Sequence, residues 1–324
     1  MQHEDLKLRS LRADDFKPYV ALHNAVYPRR TRTVEELRRV NEARDPRLAF
    51  GRWAAFAGTQ FVGFAGYAQW AGETYKDWVQ LNVVVDKAFR RRGIGTMLYE
   101  RVVKDVRESG LAVLRADAYE DLPSGLPFAR SLGFTDVFRE GPSHLNLDGF
   151  SAAPFMPLLD RLEGEGVEFL SYAQLRERDS NFANALFAVC RNAWHGVPKE
   201  HKTDLLRADW DAGLVQEPGL DFDISTVALE EEAIVGFCEV WSAPKGRPVY
   251  AGLAGVERAA RGRGIATPAY VRAIETARRK GHPQMQTSSA VENIAMQTVY
   301  AKLGFIREPV WIQLEKQLGS QRSS

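Results

Sequence analysis

The chain has 324 residues, 45% of them hydrophobic and 26% charged, with a formal net charge of +1. That length and composition fit about two soluble globular domains, each large enough to bury its own core. The near-neutral balance argues against nucleic-acid binding by phosphate neutralisation and against a polybasic membrane anchor. No apolar run reaches a membrane span and MQHEDLKLRS lacks the apolar core of a secretory signal, so a cytoplasmic protein is expected.

The elements follow in order. Leu6-Lys7-Leu8-Arg9 alternates as a strand, and a helix opens at Asp14-Asp15 and runs to Tyr27, where Pro28 stops it. A second helix is predicted over 33–43, with Thr33 and Glu36 forming a capping box. Strands at 48–57 and 61–70 flank the turn Gly58-Thr59-Gln60, and a third strand spans 78–85. A long helix covers 94–108, its stripe made by Ile94, Met97, Leu98, Val102 and Val106, with Gly110 as its stop. Residues 111–119 read as strand, 123–131 as a poor helix with two prolines, and 135–148 as strand. A linker with a short helix occupies 148–166. The second half repeats the order: strand 167–170, helix 181–194, strands 222–229, 233–241 and 248–256, helix 264–279, strand 284–289, helix 293–302 and strand 309–315. Pro268 falls in a first helical turn, where its missing amide hydrogen is tolerated. The expected fold is α/β (α+β), as two tandem domains, 1–150 and 151–324, each a mixed, mostly antiparallel sheet flanked by helices. The last residues, GSQRSS, are expected to fray. Cys190 and Cys238 read as buried free thiols of a reducing compartment.

One block occurs twice at a constant offset of 171 residues, 85–134 against 256–305. Arg90 pairs with Arg261, Arg92 with Arg263, Gly93 with Gly264, Ile94 with Ile265, Thr96 with Thr267, Tyr99 with Tyr270, and Leu132-Gly133-Phe134 with Leu303-Gly304-Phe305. Such a shared register means two copies of one fold. Each copy places a strand, a loop and a long helix in succession. The loops are Arg90-Arg91-Arg92-Gly93-Ile94-Gly95 and Arg261-Gly262-Arg263-Gly264-Ile265-Ala266. Glycines let backbone amides close on a pyrophosphate, the helix start adds its positive end, and arginines offer charge. Other motifs fit worse: there is no Gly-x4-Gly-Lys-(Ser/Thr), no third glycine of a dinucleotide fingerprint, no Gly-x-Ser-x-Gly and no His-Glu-x-x-His.

With these loops, the preceding LNVVV and GLAGV strands, and the endings RSLGF and YAKLGF, the chain resembles the GCN5-related N-acetyltransferase (GNAT) superfamily along nearly its whole length, as a tandem member. The resemblance implies acetyl-coenzyme A as cosubstrate, its pyrophosphate in the loops. It also implies that the strand segments Val83, Val84, Val85 and Ala254, Gly255, Val256 pair with the pantetheine arm, and that Thr96 adds to the first cradle. In the second copy it implies that Asn293 contacts the coenzyme and that Tyr300 is the acid that protonates the departing thiolate. The first copy has Leu122 and Ala129 at those positions, with Pro123 and Pro127 interrupting the helix. The first domain is therefore expected to be weak or silent in catalysis, though its intact loop keeps the means to bind coenzyme.

The expected reaction is direct attack of an amine on the thioester, helped by proximity and by backbone amides near Val256. Glu239, Glu257 and Glu292 are candidate bases, with Glu239 first because it sits mid-strand in GFCEVW. The stretch 194–211, with His195, Glu200, His201, Asp204 and Asp211, either selects a cationic amine or is a charged surface helix. No metal, nucleic acid or membrane partner is expected. The expected acceptor is a small-molecule or peptide amine, and the expected assembly a monomer or homodimer. A longer acyl donor, an amino-sugar acceptor and a coenzyme-binding regulator remain open.

Overall fold

The structure is a computed structural model that describes residues 6–28, 30–69, 77–198, 204–208, 210–211 and 219–319. The chain forms two compact units, residues 1–137 with 312–324, and residues 138–311. A cut at residue 150 therefore misses the division, because each unit takes its last strand from the other half of the sequence.

The first unit orders its sheet as β1 (Leu6–Ser10), β2 (Phe50–Ala57), β3 (Gln60–Ala68), β4 (Trp78–Val85) and β5 (Val113–Tyr119), followed by β13 (Trp311–Gln317) from the chain's end. Neighbours up to β4 are antiparallel, and β4 with β5 is parallel. Helices α1 (Phe16–Val26) and α2 (Val34–Glu42) close one face over Phe64 and Val84. The predicted capping box is present: Thr33 Oγ1 accepts from Glu36 N and the Glu36 carboxylate accepts from Thr33 N. Helix α3 (Ile94–Glu108) turns Ile94, Leu98, Val102 and Val106 inward, and α4 (Gly125–Ser131) lies beside β5. β13 is held by Arg115 to Glu315 at 3.2 Å and by Lys316 to the Tyr99 hydroxyl at 2.8 Å.

The second unit orders β6 (Thr135–Asn146), β11 (Gln284–Ala290), β10 (Val249–Val256), β9 (Ala233–Trp241), β8 (Thr226–Glu230) and β7 (Val167–Ser171), with β12 (Ile306–Arg307) on β6. β10 runs parallel to β11, whereas β6 with β11, β10 with β9, β9 with β8 and β8 with β7 are antiparallel. Helices α8 (Ala266–Arg279) and α9 (Ile294–Leu303) cover one face around Tyr270 and Tyr300. Helices α6 (Tyr172–Arg178) and α7 (Phe182–Gly196) cover the other around Phe237, while α5 (Met156–Gly164) packs on β7.

Three expectations are corrected. Residues 222–225 are not strand, because the Asp221 side chain accepts from Asp223 N and Ile224 N and turns the chain there. Helix α6 was not foreseen, although Ser171 and Gln174 spell its capping box. The final strand, expected at 309–315, does not complete the second unit: it forms over Trp311–Gln317, beyond Pro309, which has no amide hydrogen to donate, and from Ile312 it belongs to the first unit. Of the tail expected to fray, residues 320–324 lie outside the described residues. Among the described residues no helix is long and apolar enough to cross a membrane.

Candidate active site

In the second unit β10 and β11 pair only over Val249–Ala251 and Met285–Thr287. β10 then continues, with Ala254, Gly255 and Val256 opposite Cys238, Phe237 and Gly236 of β9. The two parallel strands thus diverge from a vertex at Ala251 and Thr287, leaving a backbone edge to which an extended ligand can add. The register with β9 slips between Ala251 and Ala254, so Gly252 and Leu253 together face Glu239 as a β-bulge. The first unit has the same opening: β4 and β5 pair over Trp78–Leu81 and Val113–Ala116, and Val83, Val84 and Val85 run on beside β3.

The two loops share one backbone form. Arg91 and Gly262 have φ of 64° and 80°, and Gly93 and Gly264 have 83° and 93°. Alternation of left-handed and ordinary residues turns successive amides to one side, which suits an anion. A Cβ on Gly262 would meet nothing, so that side of the cradle is open. Ile94 and Ile265, each 1% exposed, anchor the loops beneath. The first arginine of each motif braces its own loop, as Arg90 Nε donates to Val85 O at 3.0 Å and Arg261 Nε to Val256 O at 2.9 Å. Arg263 is committed to Glu230 at 2.9 Å and Glu165 at 3.2 Å, and Arg92 donates to Ala88 O at 3.2 Å over the Phe89 ring. With these side chains so engaged, the backbone amides and the starts of α3 and α8 at Gly95, Thr96 and Ala266 are the groups better placed to meet an anion.

Tyr300 lies at the vertex. Its hydroxyl is 3.0 Å from Thr287 Oγ1, which is 2.9 Å from Ala251 O, and 3.4 Å from the Tyr270 hydroxyl. A carbonyl only accepts, so Thr287 is the donor toward Ala251, and the same hydroxyl also lies within donating reach of the Tyr300 oxygen. Tyr300 is 5% exposed, and burial pushes its phenol up to about 12 against the help of Thr287 and Tyr270. Asn293 caps α9, its Oδ1 accepting from Met296 N at 3.3 Å, which leaves its amide hydrogens for a ligand. Sequence reading missed Thr287 because a threonine in a strand carries no motif.

Glu239 sits on the opposite face of the sheet and is 4% exposed. Its Oε1 accepts from Trp210 Nε1 at 3.1 Å and from Cys190 Sγ at 3.3 Å. Burial raises its carboxyl to about 7, against both of those donors. Glu257 accepts from Asn192, and Glu292 is exposed. His195 faces Asp204 at 3.2 Å and Asp211 faces Arg207 at 2.7 Å as surface pairs, whereas Glu200 and His201 lie outside the described residues. Cys190 and Cys238 are buried and free. Among the described residues no group of three or more His, Cys, Asp or Glu could hold a metal ion.

In the first unit, Ala116 stands for Thr287 and Ala129 for Tyr300, while Tyr99 remains for Tyr270. The Phe128 ring comes within 3.1 Å of where a Cβ on Gly95 would stand, and Arg90 Nη1 donates to Ser124 Oγ at 3.1 Å. These contacts close the start of α3 against α4.

The model of the acetyltransferase (GNAT) family matches residues 8–134 and 184–305. The chain belongs to that family. As a tandem GNAT protein it is similar over 99% of its length, and over 98% of the other's, to a GCN5-related N-acetyltransferase from Sphaerobacter thermophilus, with a TM-score of 0.70 at 16% identity. A tandem GNAT protein from the clavulanic acid biosynthesis pathway matches at 0.63 and 19%, over 98% of this chain and 100% of that one. No curated protein matches the sequence of this GNAT chain.

Proposed function

We propose that the second unit transfers an acetyl group from acetyl-coenzyme A to a primary amine of a small molecule or peptide, by direct attack. The observation that carries the reading is the Tyr300 hydroxyl at the vertex of β10 and β11, backed by Tyr270 and Thr287. The coenzyme supplies an activated acyl thioester, and the residues present fit it. The loop from Arg261 to Ala266 is a backbone cradle for its diphosphate, and the free edge at Ala254–Val256 suits an extended amide arm. The bulge at Gly252 and Leu253 turns backbone groups out of the β9 ladder, where an amide can polarise a carbonyl oxygen. Tyr300 holds its proton at neutral pH, and such an acid is worth roughly 10²–10⁴ in rate.

The test is thiol release with acetyl-coenzyme A across a panel of primary amines. Turnover with any amine, and its loss in Tyr300→Phe, is the expected result. Tight coenzyme binding with no turnover for any amine would instead favour a coenzyme-binding regulator.

A further inference from the structure

We propose that Tyr250, Ser288 and Glu140 carry protons away from the acceptor amine, and that this amine is a cationic alkylamine lying between Trp241 and Tyr250. The inference rests on the acetyl transfer proposed above. Side chains alternate along a strand, so Tyr250 and Ser288, next to Ala251 and Thr287, face away from Tyr300 at the same vertex. Tyr250 pairs across the sheet with Trp241. The indole Nε1 of Trp241 stands 2.6 Å from where a Cβ on Gly252 would lie, so the ring covers the bulge. Trp241 is 36% and Tyr250 41% exposed, which makes them an open aromatic pair beside the bulge that Glu239 faces from under Trp210. Aromatic faces of this kind attract an ammonium group.

The Tyr250 hydroxyl is 2.8 Å from Ser288 Oγ, and Ser288 Oγ donates in turn to Glu140 Oε1. A serine has one hydroxyl hydrogen; with that committed to the carboxylate, Tyr250 donates to Ser288 and keeps its lone pairs for an incoming N–H. Glu140 is half-buried on β6, opposite Ala290. In the step, the ammonium gives a proton to the Tyr250 oxygen while Tyr250 passes its own to Ser288 and Ser288 its own to Glu140. Tyr250 and Ser288 end neutral, and Glu140 ends as the acid and returns the proton to solvent. The freed nitrogen forms the C–N bond to the carbonyl carbon, the C–S bond breaks, and the thiolate takes the Tyr300 proton. The nitrogen sheds its second proton by the same relay and solvent restores Tyr300, so one proton is released overall. Tyr250 touches the acceptor; Glu140 acts through Ser288 and Tyr250 and is a positioning residue and proton sink.

The experiment compares the full-length chain with Glu140→Gln, Glu140→Asp, Glu239→Gln and Trp241→Ala. Acetyl-coenzyme A affinity is measured by calorimetry. Turnover is measured with a simple alkylamine, protonated at pH 7, and with a weakly basic fluorinated amine that is already neutral. Glu140→Gln is expected to lose about 100-fold more kcat with the alkylamine than with the neutral amine, at unchanged coenzyme affinity, and Glu140→Asp to recover part of it. Trp241→Ala is expected to raise KM for the alkylamine about tenfold. Equal losses for both amines, no loss, or a selective loss in Glu239→Gln in place of Glu140→Gln would overturn the relay. Unchanged KM in Trp241→Ala would remove the aromatic wall. A wild-type chain that binds no coenzyme would overturn the acetyl-transfer reading itself, whereas coenzyme binding and turnover with an amine-blind Glu140→Gln overturns the relay alone.

Discussion

Tyr300 and Glu239 face opposite sides of one sheet, and burial moves both toward their neutral forms. For Tyr300 this keeps the acid form filled through the neutral range. Tyr300→Phe is expected to lower turnover about 100-fold with coenzyme affinity unchanged, as read by steady-state kinetics beside calorimetry. For Glu239 the consequence is a stability that depends on pH. Its carboxyl is raised from 4.5 to about 7, so the folded chain binds more protons than the unfolded chain between those values. Stability from this group is full below about 4.5, falls as pH rises toward 7, and levels beyond. Glu239→Gln is therefore expected to unfold later than wild type at pH 8, by up to about 3 kcal/mol, and to lose that advantage at pH 4.5. Denaturant titrations at the two pH values check it, and an equal difference at both would contradict the burial effect.

At the scale of elements, the cradle between β10 and α8 turns on Gly264. Its φ of 93° strains any side chain, and a Cβ there would press on Leu158 at 3.3 Å. Gly264→Val is expected to weaken acetyl-coenzyme A binding at least tenfold, seen by calorimetry, by an amount exceeding any effect of Gly58→Val in the exposed β2–β3 turn. Much at this scale was legible in the sequence. The capping box at Thr33, the strand 78–85 and the helix 94–108 follow from local patterns that the fold does not override. The loops were legible because they occur twice in register. The chemistry around them was less so. Thr287, Ser288 and Tyr250 gain meaning only from which face of a splayed strand they take, and that depends on where pairing stops. Arg263 was read as a phosphate ligand because the sequence does not reveal that Glu165 and Glu230 come within reach of it.

At the scale of the molecule, the assignment of the last strands decides what each unit is. A fragment of residues 1–150 lacks β13, and with it Ile312 at 2% and Leu314 at 0% exposure and the partners of Arg115 and Tyr99. Two such buried side chains are worth about 3–6 kcal/mol together, a large part of a domain's stability. The fragment is expected to lack a cooperative thermal transition that the full chain shows, by circular dichroism. The full chain is also expected to bind one equivalent of acetyl-coenzyme A, because Phe128 and the Arg90–Ser124 bond close the first cradle; Phe128→Ala should admit a second, and two equivalents in wild type would contradict this.

The exchange of closing strands has a consequence for descent. A gene carrying this fold cannot shed one copy, nor lend the other to another fusion, without tearing out a strand that the remaining copy needs. Duplicates built this way are inherited as a single cassette, which shelters each copy from separate deletion.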